Sequence, residues 1–327
     1  MSKTTVVIPN YNGIKYIGAC LDSLKSAMSD SYTFDIIVVD NGSTDGSLET
    51  LKNYSDVKVI ELGENTGFAY AVNRGIEASE SDYVLLLNND IVVEPDMVIK
   101  LEQAMDEEPD AFSINSLMRS MANPEVVDGA GDFYCALGWA YAYGKDKKTE
   151  KVTGRTATRK KLFSCCAGAS IYRKSIFDLI GLFDEEHFAY LEDVDLGYRA
   201  RINGYRNLLE ITAVCDHAGS GSSGSRYNEF KISLSSRNST YLIRKNMPLL
   251  QRIINLPLFV IGFGIKWMFF AMKGYGRLYL KGLFEGIRLS NDEKGKKHRV
   301  SFKMANLGHY VLIQLELWIN IFRRFVA

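Results

Sequence analysis

Three groups of polar residues in this chain have types and spacing suited to chemistry. The run at residues 83–93, YVLLLNNDIVV, reads as an apolar strand that stops abruptly at Asn88, Asn89 and Asp90. A buried strand ending in a carboxylate and two amides is a platform for a metal-bound phosphate. Hard cations take oxygen ligands, and Mg²⁺ is usually held by one or two carboxylates plus substrate phosphates. Asp90 is therefore a candidate metal ligand, although an Asn/Asp turn accounts for the same residues by local hydrogen bonding. The segment LEDVDLGYRARINGY reads as a helix whose first turn carries Glu192, Asp193 and Asp195 and whose stop is Gly204. The helix dipole favours acids at an N-terminus, so capping alone is one explanation of them. His217 opens a glycine- and serine-rich stretch at residues 217–225, HAGSGSSGS, and a lone histidine is more often structural than a ligand.

The elements that must position these groups alternate between strand and helix. A β-branched run at 4–9 is followed by helical spacing over 13–27 and a second strand, FDIIVVD, at 34–40. The turn NGSTDGS at 41–47 caps the next helix; a third strand covers 57–62, a helix 68–79 and a fourth strand 83–87. This order predicts an α/β fold with a doubly wound, mostly parallel sheet flanked by helices. Ligands of such sheets bind beyond the carboxyl ends of the strands. Asn10 and Tyr11, Asp40, and the residues from Asn88 to Asp90 all fall at strand ends and should converge on one rim. No GxGxxG follows the first strand, where the sequence is PNYNGIKYIG, and no Walker A ending follows the Gly/Ser stretch, so both common nucleotide folds are disfavoured.

The chain has 327 residues, enough for one large domain with an appendage or for two domains. Five cysteines form no CxxC pair and leave an odd count, which argues against a disulfide framework or a zinc site and for reduced thiols in the cytosol. The N-terminus enters a strand without an apolar signal segment, so secretion by the usual route is not expected. Net charge is zero, yet residues 249–327 hold 13 Lys and Arg against 4 Asp and Glu, leaving 26 against 35 for residues 1–248. A tail at +9 beside a body at −9 also carries two apolar stretches, at 253–272 and 307–326. That combination fits association with an anionic membrane surface. Pro257 and Lys266 within the first stretch favour an interfacial or re-entrant helix over a span. The alternative is a pair of helices that pack on the main domain or on a second subunit, making a homo-oligomer. No nucleic-acid partner is expected.

Several segments in register carry a family resemblance: VVIPNYNG, IIVVDNGSTDGS, ENTGFAYAVNRGIEAS and LLLNNDIVVEPD, then CAGASIYRKSIFDLIGLFDEEHFAYLEDVDLGYRARINGY, DHAGSGS and SSRNSTYLIRKNMP. Over residues 4–248 the chain resembles the family 2 glycosyltransferases of GT-A fold, and within them the rhamnosyltransferase-like branch. The resemblance implies a nucleotide-binding half at 1–100, an acceptor half at 101–248 and a helical, membrane-associating extension at 249–327. It implies that Asp40 accepts a hydrogen bond from uracil or thymine, flanked by Pro9, Asn10 and Tyr11. Asn65, Gly67, Asn73 and Asn89 would line the nucleotide or phosphate side. Asp90 would hold Mg²⁺ or Mn²⁺, and His217 would complete the metal site. The family's Asp-x-Asp is here Asn88-Asn89-Asp90, so the first acid is lost. Asp193 would be the general base, Glu192 would orient the acceptor or the base, Gly168 would give the sugar room, and Trp139 or Tyr190 could stack on a sugar.

The implied activity is inverting transfer of a sugar from a dTDP- or UDP-sugar to a saccharide or lipid-linked saccharide acceptor. It would take place at the inner face of the cell membrane, in cell-surface polysaccharide synthesis. A sugar-1-phosphate nucleotidyltransferase would need a Gly-rich, Lys/Arg-bearing loop after the first strand, and IPNYNG offers none. A catalytically silent binding module is opposed by the intact Glu192–Asp193 pair.

Overall fold

A computed structural model describes residues 2–154, 158–219 and 227–326. Its first third runs β1 (Thr4–Asn10), α1 (Ile17–Ser26), β2 (Asp35–Asp40), α2 (Ser47–Leu51), β3 (Lys58–Glu61), α3 (Phe68–Ala78), β4 (Tyr83–Leu87), β5 (Ile91–Val93) and α4 (Met97–Glu107). Then come β6 (Ala111–Ser120), β7 (Asn123–Gly129), the hairpin β8 (Asp132–Cys135) and β9 (Trp139–Ala142), α5 (Thr149–Thr153), β10 (Arg159–Leu162), β11 (Ala169–Arg173) and α6 (Lys174–Ile180). The chain finishes with α7 (Glu192–Ile202), β12 (Arg206–His217), α8 (Glu229–Asn246), α9 (Leu249–Met272), α10 (Gly276–Leu289), α11 (Glu293–Lys297) and α12 (Leu307–Val326).

The main sheet has the order β10-β12-β6-β11-β4-β1-β2-β3. Strands β3, β2, β1 and β4 are parallel, as the strand–helix alternation predicts. Beyond β4 the sheet becomes mixed, because β11 enters antiparallel between β4 and β6 while β12 again runs parallel to β6. Side chains alternate across the sheet: Val6 and Ile8 join one core with Leu21 and Leu24, whereas Val7 joins the opposite one with Val72 and Ile76. Burial on both faces is why these strands read as unbroken apolar runs.

One sequence boundary moves. The helix expected from residue 13 begins at Ile17, because Asn12 takes a left-handed conformation and residues 13–16 form a turn. The fourth strand ends at Leu87, before Asn88, as expected, and Ile91–Val93 beyond it form a further short strand, β5, that pairs antiparallel with β12.

The C-terminal helices are built into the body. Tyr310, Ile313 and Leu317 of α12 and Phe259 of α9 share a core with Phe133, Val194 and Tyr198. Helix α9 continues through Pro257 and is one helix long and apolar enough to cross a membrane, with only 17% of its apolar window buried. Both expected apolar stretches are therefore helices, and each has one face on the core.

A buried ionic cluster joins the C-terminal half together. The Lys245 ammonium lies 2.7 Å from Asp184 and 2.8 Å from Asp195, Asn246 donates to the second oxygen of Asp195, and Tyr241 donates to Asp184. Arg199 bridges Asp195 to the carbonyls of Ile180, Gly181 and Leu182. Burial alone would raise the Asp195 carboxyl, but Lys245 and Arg199 outweigh it and hold the group well below the usual carboxylate range. Lys245→Met leaves two buried carboxylates facing each other. The expected cost is roughly 3–5 kcal/mol, seen as a lowered urea midpoint at unchanged slope; an unchanged midpoint would show that the cluster does not hold the fold.

Candidate active site

The carboxyl ends of β1 and β4 open on one cavity of about 680 Å³, lined by Pro9, Asn10, Tyr11, Asn65, Gly67, Asn88, Asn89, Asp90, Gly168, Tyr190, Glu192, Asp193 and His217 among others. Ten of the twelve residues singled out for nucleotide, metal or catalytic roles thus face one space. Asp40 and Asn73 do not. Asp40 is 1% exposed and accepts from Asn10 Nδ2 at 2.9 Å and the Ser43 amide at 2.9 Å. It lies beneath the cavity floor and orients Asn10, whose Oδ1 in turn accepts from Asn89 Nδ2 at 2.7 Å. Asn73 is likewise buried, clamping the Phe183 backbone through both its amide groups and donating to Glu185. Asn41 does line the cavity, and it donates to Asn65 Oδ1 and to the Gly67 carbonyl. Gly67 has φ +90°, and a Cβ there would come within 2.7 Å of the Phe188 ring, so its close approach is to Phe188.

One corner of the cavity is set by strand register. In the β5–β12 pair Ile91 lies opposite His217, which brings Asp90 beside the histidine. His217 Nε2 stands 3.3 Å from Asp90 Oδ1, within ion-pair reach but not in hydrogen-bond geometry, and that buried Oδ1 has no hydrogen-bond partner among the described residues. The other ring nitrogen, Nδ1, meets Asp128 Oδ2 at 2.6 Å. Burial would lower the imidazole pKa, but Asp128 and Asp90 overcome it and raise it to about 9. His217 in turn draws Asp128 down to about 2. A carboxylate, an imidazole and an outer carboxylate that orients the ring make a donor set suited to a divalent cation. The Gly/Ser run after His217 lies, from residue 220, outside the described residues.

The opposite corner is acidic. Asp193 faces the cavity from the first turn of α7 and accepts from the Val194 amide at 2.7 Å. Burial raises its pKa to about 6, although backbone amides pull the other way. Asp132 and Cys166 bring a carboxylate oxygen and a thiol within 4.8 Å of it and of each other. Glu192, 7% exposed, has an Oε2 without a partner among the described residues; burial, then the Asp193 charge, push its carboxyl well up. A carboxylate poised near neutral pH beside carboxyls pushed higher is an arrangement for accepting one proton. Asp195, the third acid of the turn, points away into the Lys245 cluster.

Phe188, Tyr190 and Leu191 lead into α7 with φ of 62°, 70° and 66°. Such backbone costs of order 1–3 kcal/mol per residue and persists only where its surroundings impose it. Here Asn238 Nδ2 donates to the carbonyls of His187, Ala189 and Tyr190, and Arg237 donates to those of Glu186 and His187. The SSRNS segment therefore acts through the backbone it braces. Trp139 does not line the cavity: its indole donates to the Gly262 carbonyl of α9 at 3.0 Å. Asp128, Asp132, Asn41 and Lys266 are cavity residues to which sequence reasoning gave no site role: Asn41 lies in the NGSTDGS turn and Lys266 in an apolar stretch, whereas no motif marks Asp128 or Asp132, whose segment only the fold brings in. Asn238→Ala frees the three carbonyls. We expect a stability loss of about 1–3 kcal/mol and faster amide hydrogen exchange at residues 187–191 with α8 unchanged; exchange no faster than wild type would mean that Asn238 is not the brace.

Comparison with known proteins gives a consistent result. Residues 5–181 match the family model described as glycosyl transferase family 2. An N-acetylglucosaminyl-diphospho-decaprenol L-rhamnosyltransferase of Mycobacterium tuberculosis is 28% identical over 247 residues, covering 67% of this chain and 77% of that protein. A poly-beta-1,6-N-acetyl-D-glucosamine synthase of Staphylococcus aureus is 24% identical over 224 residues, 65% of this chain and 52% of that one. The solved structure of a mannosyltransferase from Pyrobaculum calidifontis, in complex with GDP-Man and Mn²⁺, superposes with a TM-score of 0.53 at 16% identity, covering 96% of this chain and 87% of that chain. At that identity the likeness is one of fold.

Proposed function

We propose, on the premise that this chain belongs to glycosyl transferase family 2 and is a glycosyltransferase, that it transfers a sugar with inversion from a UDP- or dTDP-sugar to a saccharide or lipid-linked saccharide. The observation that carries the reading is one cavity with a cation-suited corner at Asp90 and His217 and a proton-accepting corner at Asp193. Its rhamnosyltransferase relative, by name, acts on a sugar carried by diphospho-decaprenol.

Asp90 and His217 would hold Mg²⁺ or Mn²⁺, with Asp128 orienting the histidine; Asp90 Oδ1, buried without a hydrogen-bond partner among the described residues, is the group such an ion would satisfy. When bound, the metal neutralises charge that develops on the departing diphosphate. Asp193 takes the acceptor hydroxyl's proton as that oxygen attacks the anomeric carbon on the face opposite the leaving group. The bond from the anomeric carbon to the diphosphate oxygen breaks, releasing the nucleoside diphosphate and leaving the new glycosidic bond inverted. Glu192, whose carboxyl burial pushes well up, would in its protonated form donate toward the acceptor and so orient it. Asn10, Tyr11, Asn65 and Asn89 supply the polar and aromatic wall for the nucleotide, with Asp40 fixing Asn10 from below.

The tail supports action at a membrane. Helix α9 exposes Ile253, Val260, Ile261, Ile265, Met268 and Met272, and the surrounding segment is strongly cationic. That surface and the relatives named above support a place at the inner face of the cell membrane, in polysaccharide synthesis.

Asp193→Asn is expected to lower release of nucleoside diphosphate from the donor, with water as acceptor, by about 10²–10⁴-fold, while Mn²⁺-dependent binding of UDP or dTDP persists. Because the active form is the carboxylate, wild-type turnover should be full above the Asp193 pKa of about 6 and fall about tenfold per unit below it. Undiminished turnover in a folded variant would remove Asp193 as the base. For the tail, wild type should sediment with vesicles containing anionic phospholipid, and the triple variant Val260→Glu, Ile261→Glu, Met268→Glu should stay in the supernatant with donor hydrolysis intact. Equal sedimentation of the two would end the membrane reading of α9.

A further inference from the structure

The cations that line the cavity are not held alike. His217 and Lys145 both end on Asp128, each at 2.6 Å. Lys266 of α9 makes no hydrogen bond or ion pair among the described residues; its ammonium lies 5.7 Å from the centre of the Trp139 ring, beside the cavity. The same space is lined by five carboxyl groups, those of Asp90, Asp128, Asp132, Glu192 and Asp193. An acceptor bearing its own negative charge would be repelled by the ionised members of that wall unless it met a separate cation.

Helix α9 is also polarised in an unusual sense. Gly262 is buried against the body, where a Cβ would come within 2.1 Å of the Leu137 carbonyl oxygen, and Lys266 follows one turn later on the same inward face. The outward face carries Val260, Ile261, Ile265 and Met268, all exposed. A helix meant to lie in water has the opposite arrangement, with charge outside and hydrocarbon within. Here the charge points into the cavity and the apolar face away from it. Burial draws the Lys266 ammonium down to about 8, the direction expected of a cation with no anion at hand.

We propose that Lys266 binds the phosphate of a lipid diphosphate acceptor, whose sugar reaches Asp193 and whose hydrocarbon chain leaves the cavity along α9 into an apolar phase. This rests on the transferase reading above and names the acceptor class and the residue that anchors it. One helix thereby does two things: its outer face meets the bilayer and its inner face meets the charged group that a bilayer-borne substrate must bring.

The test is calorimetric binding of farnesyl diphosphate, farnesol and inorganic pyrophosphate to the full chain in detergent, with EDTA present so that the diphosphate cannot occupy a metal site. Wild type is expected to prefer farnesyl diphosphate over farnesol and over pyrophosphate by about tenfold or more, the worth of a charge-assisted contact added to apolar burial. Lys266→Gln should lose the preference over farnesol, and Lys266→Arg should keep it. Farnesyl diphosphate binding unchanged in Lys266→Gln, farnesol binding as tightly as the diphosphate, or pyrophosphate binding tightest would each overturn the proposal. Mn²⁺-dependent UDP or dTDP binding, measured on the same preparations, separates the two readings: its absence in wild type defeats the donor and metal assignment proposed above, whereas its presence with no effect of Lys266→Gln defeats only this one.

Discussion

The geometry of the site depends on a lysine held between two buried carboxylates. Lys245 sits on α8 and reaches both Asp195 on α7 and Asp184 at the turn that precedes it, and all three side chains are almost wholly removed from water. Buried ions are stable only when paired and hydrogen-bonded. The chain must therefore bring α7, α8 and the 184–191 turn to one relative position. Asp195 is two residues from Asp193, so the constraint that satisfies the buried charge also places Asp193 at the cavity wall. The lysine ammonium fills the space between two carboxylates and a histidine where a metal ion would otherwise find ligands. It makes this cluster structural, in contrast to the corner at Asp90.

Strain and bracing follow from the same arrangement. The positive-φ run through Phe188, Tyr190 and Leu191 turns the chain abruptly into α7, so that Glu192 and Asp193 begin the helix at the cavity wall. The helix has no side-chain N-cap at Leu191, and the free amides of its first turn are available to the Asp193 carboxylate. Those amides moderate the effect of burial and leave the Asp193 pKa at about 6, while burial and then the Asp193 charge push the Glu192 carboxyl well up despite a backbone amide that pulls the other way. Two adjacent acids thus acquire different chemistry from their surroundings.

The C-terminal extension is part of this machinery. Helix α12 covers α7 and the β8–β9 hairpin, and α10 packs along α8. The elements that hold the acidic corner are themselves held by residues beyond 249. Helix α9 is seated by Gly262 and Trp139 against that hairpin, so a helix with an extended exposed apolar face is also a wall of the cavity.

What the residues alone determined is local in origin. Strand and helix alternation follows from periodicity. The polar ends of β1 and β4 follow from where apolar runs stop, and the acidic turn at 192–195 from adjacent residues in one motif. The site's remaining parts were decided by tertiary structure. Asp40 and Asn73 belong to the expected segments, yet their side chains turn inward to satisfy Asn10 and the Phe183 backbone, because a buried amide or carboxylate must be paired. Asp128 joins His217 only through the pairing of β7 with β6 and of β6 with β12. Lys266 reads in sequence as an interruption of an apolar stretch, and its inward direction depends on a glycine one turn earlier that lets α9 lie close against Leu137. Such pairings link segments tens to more than a hundred residues apart, and no local period records them.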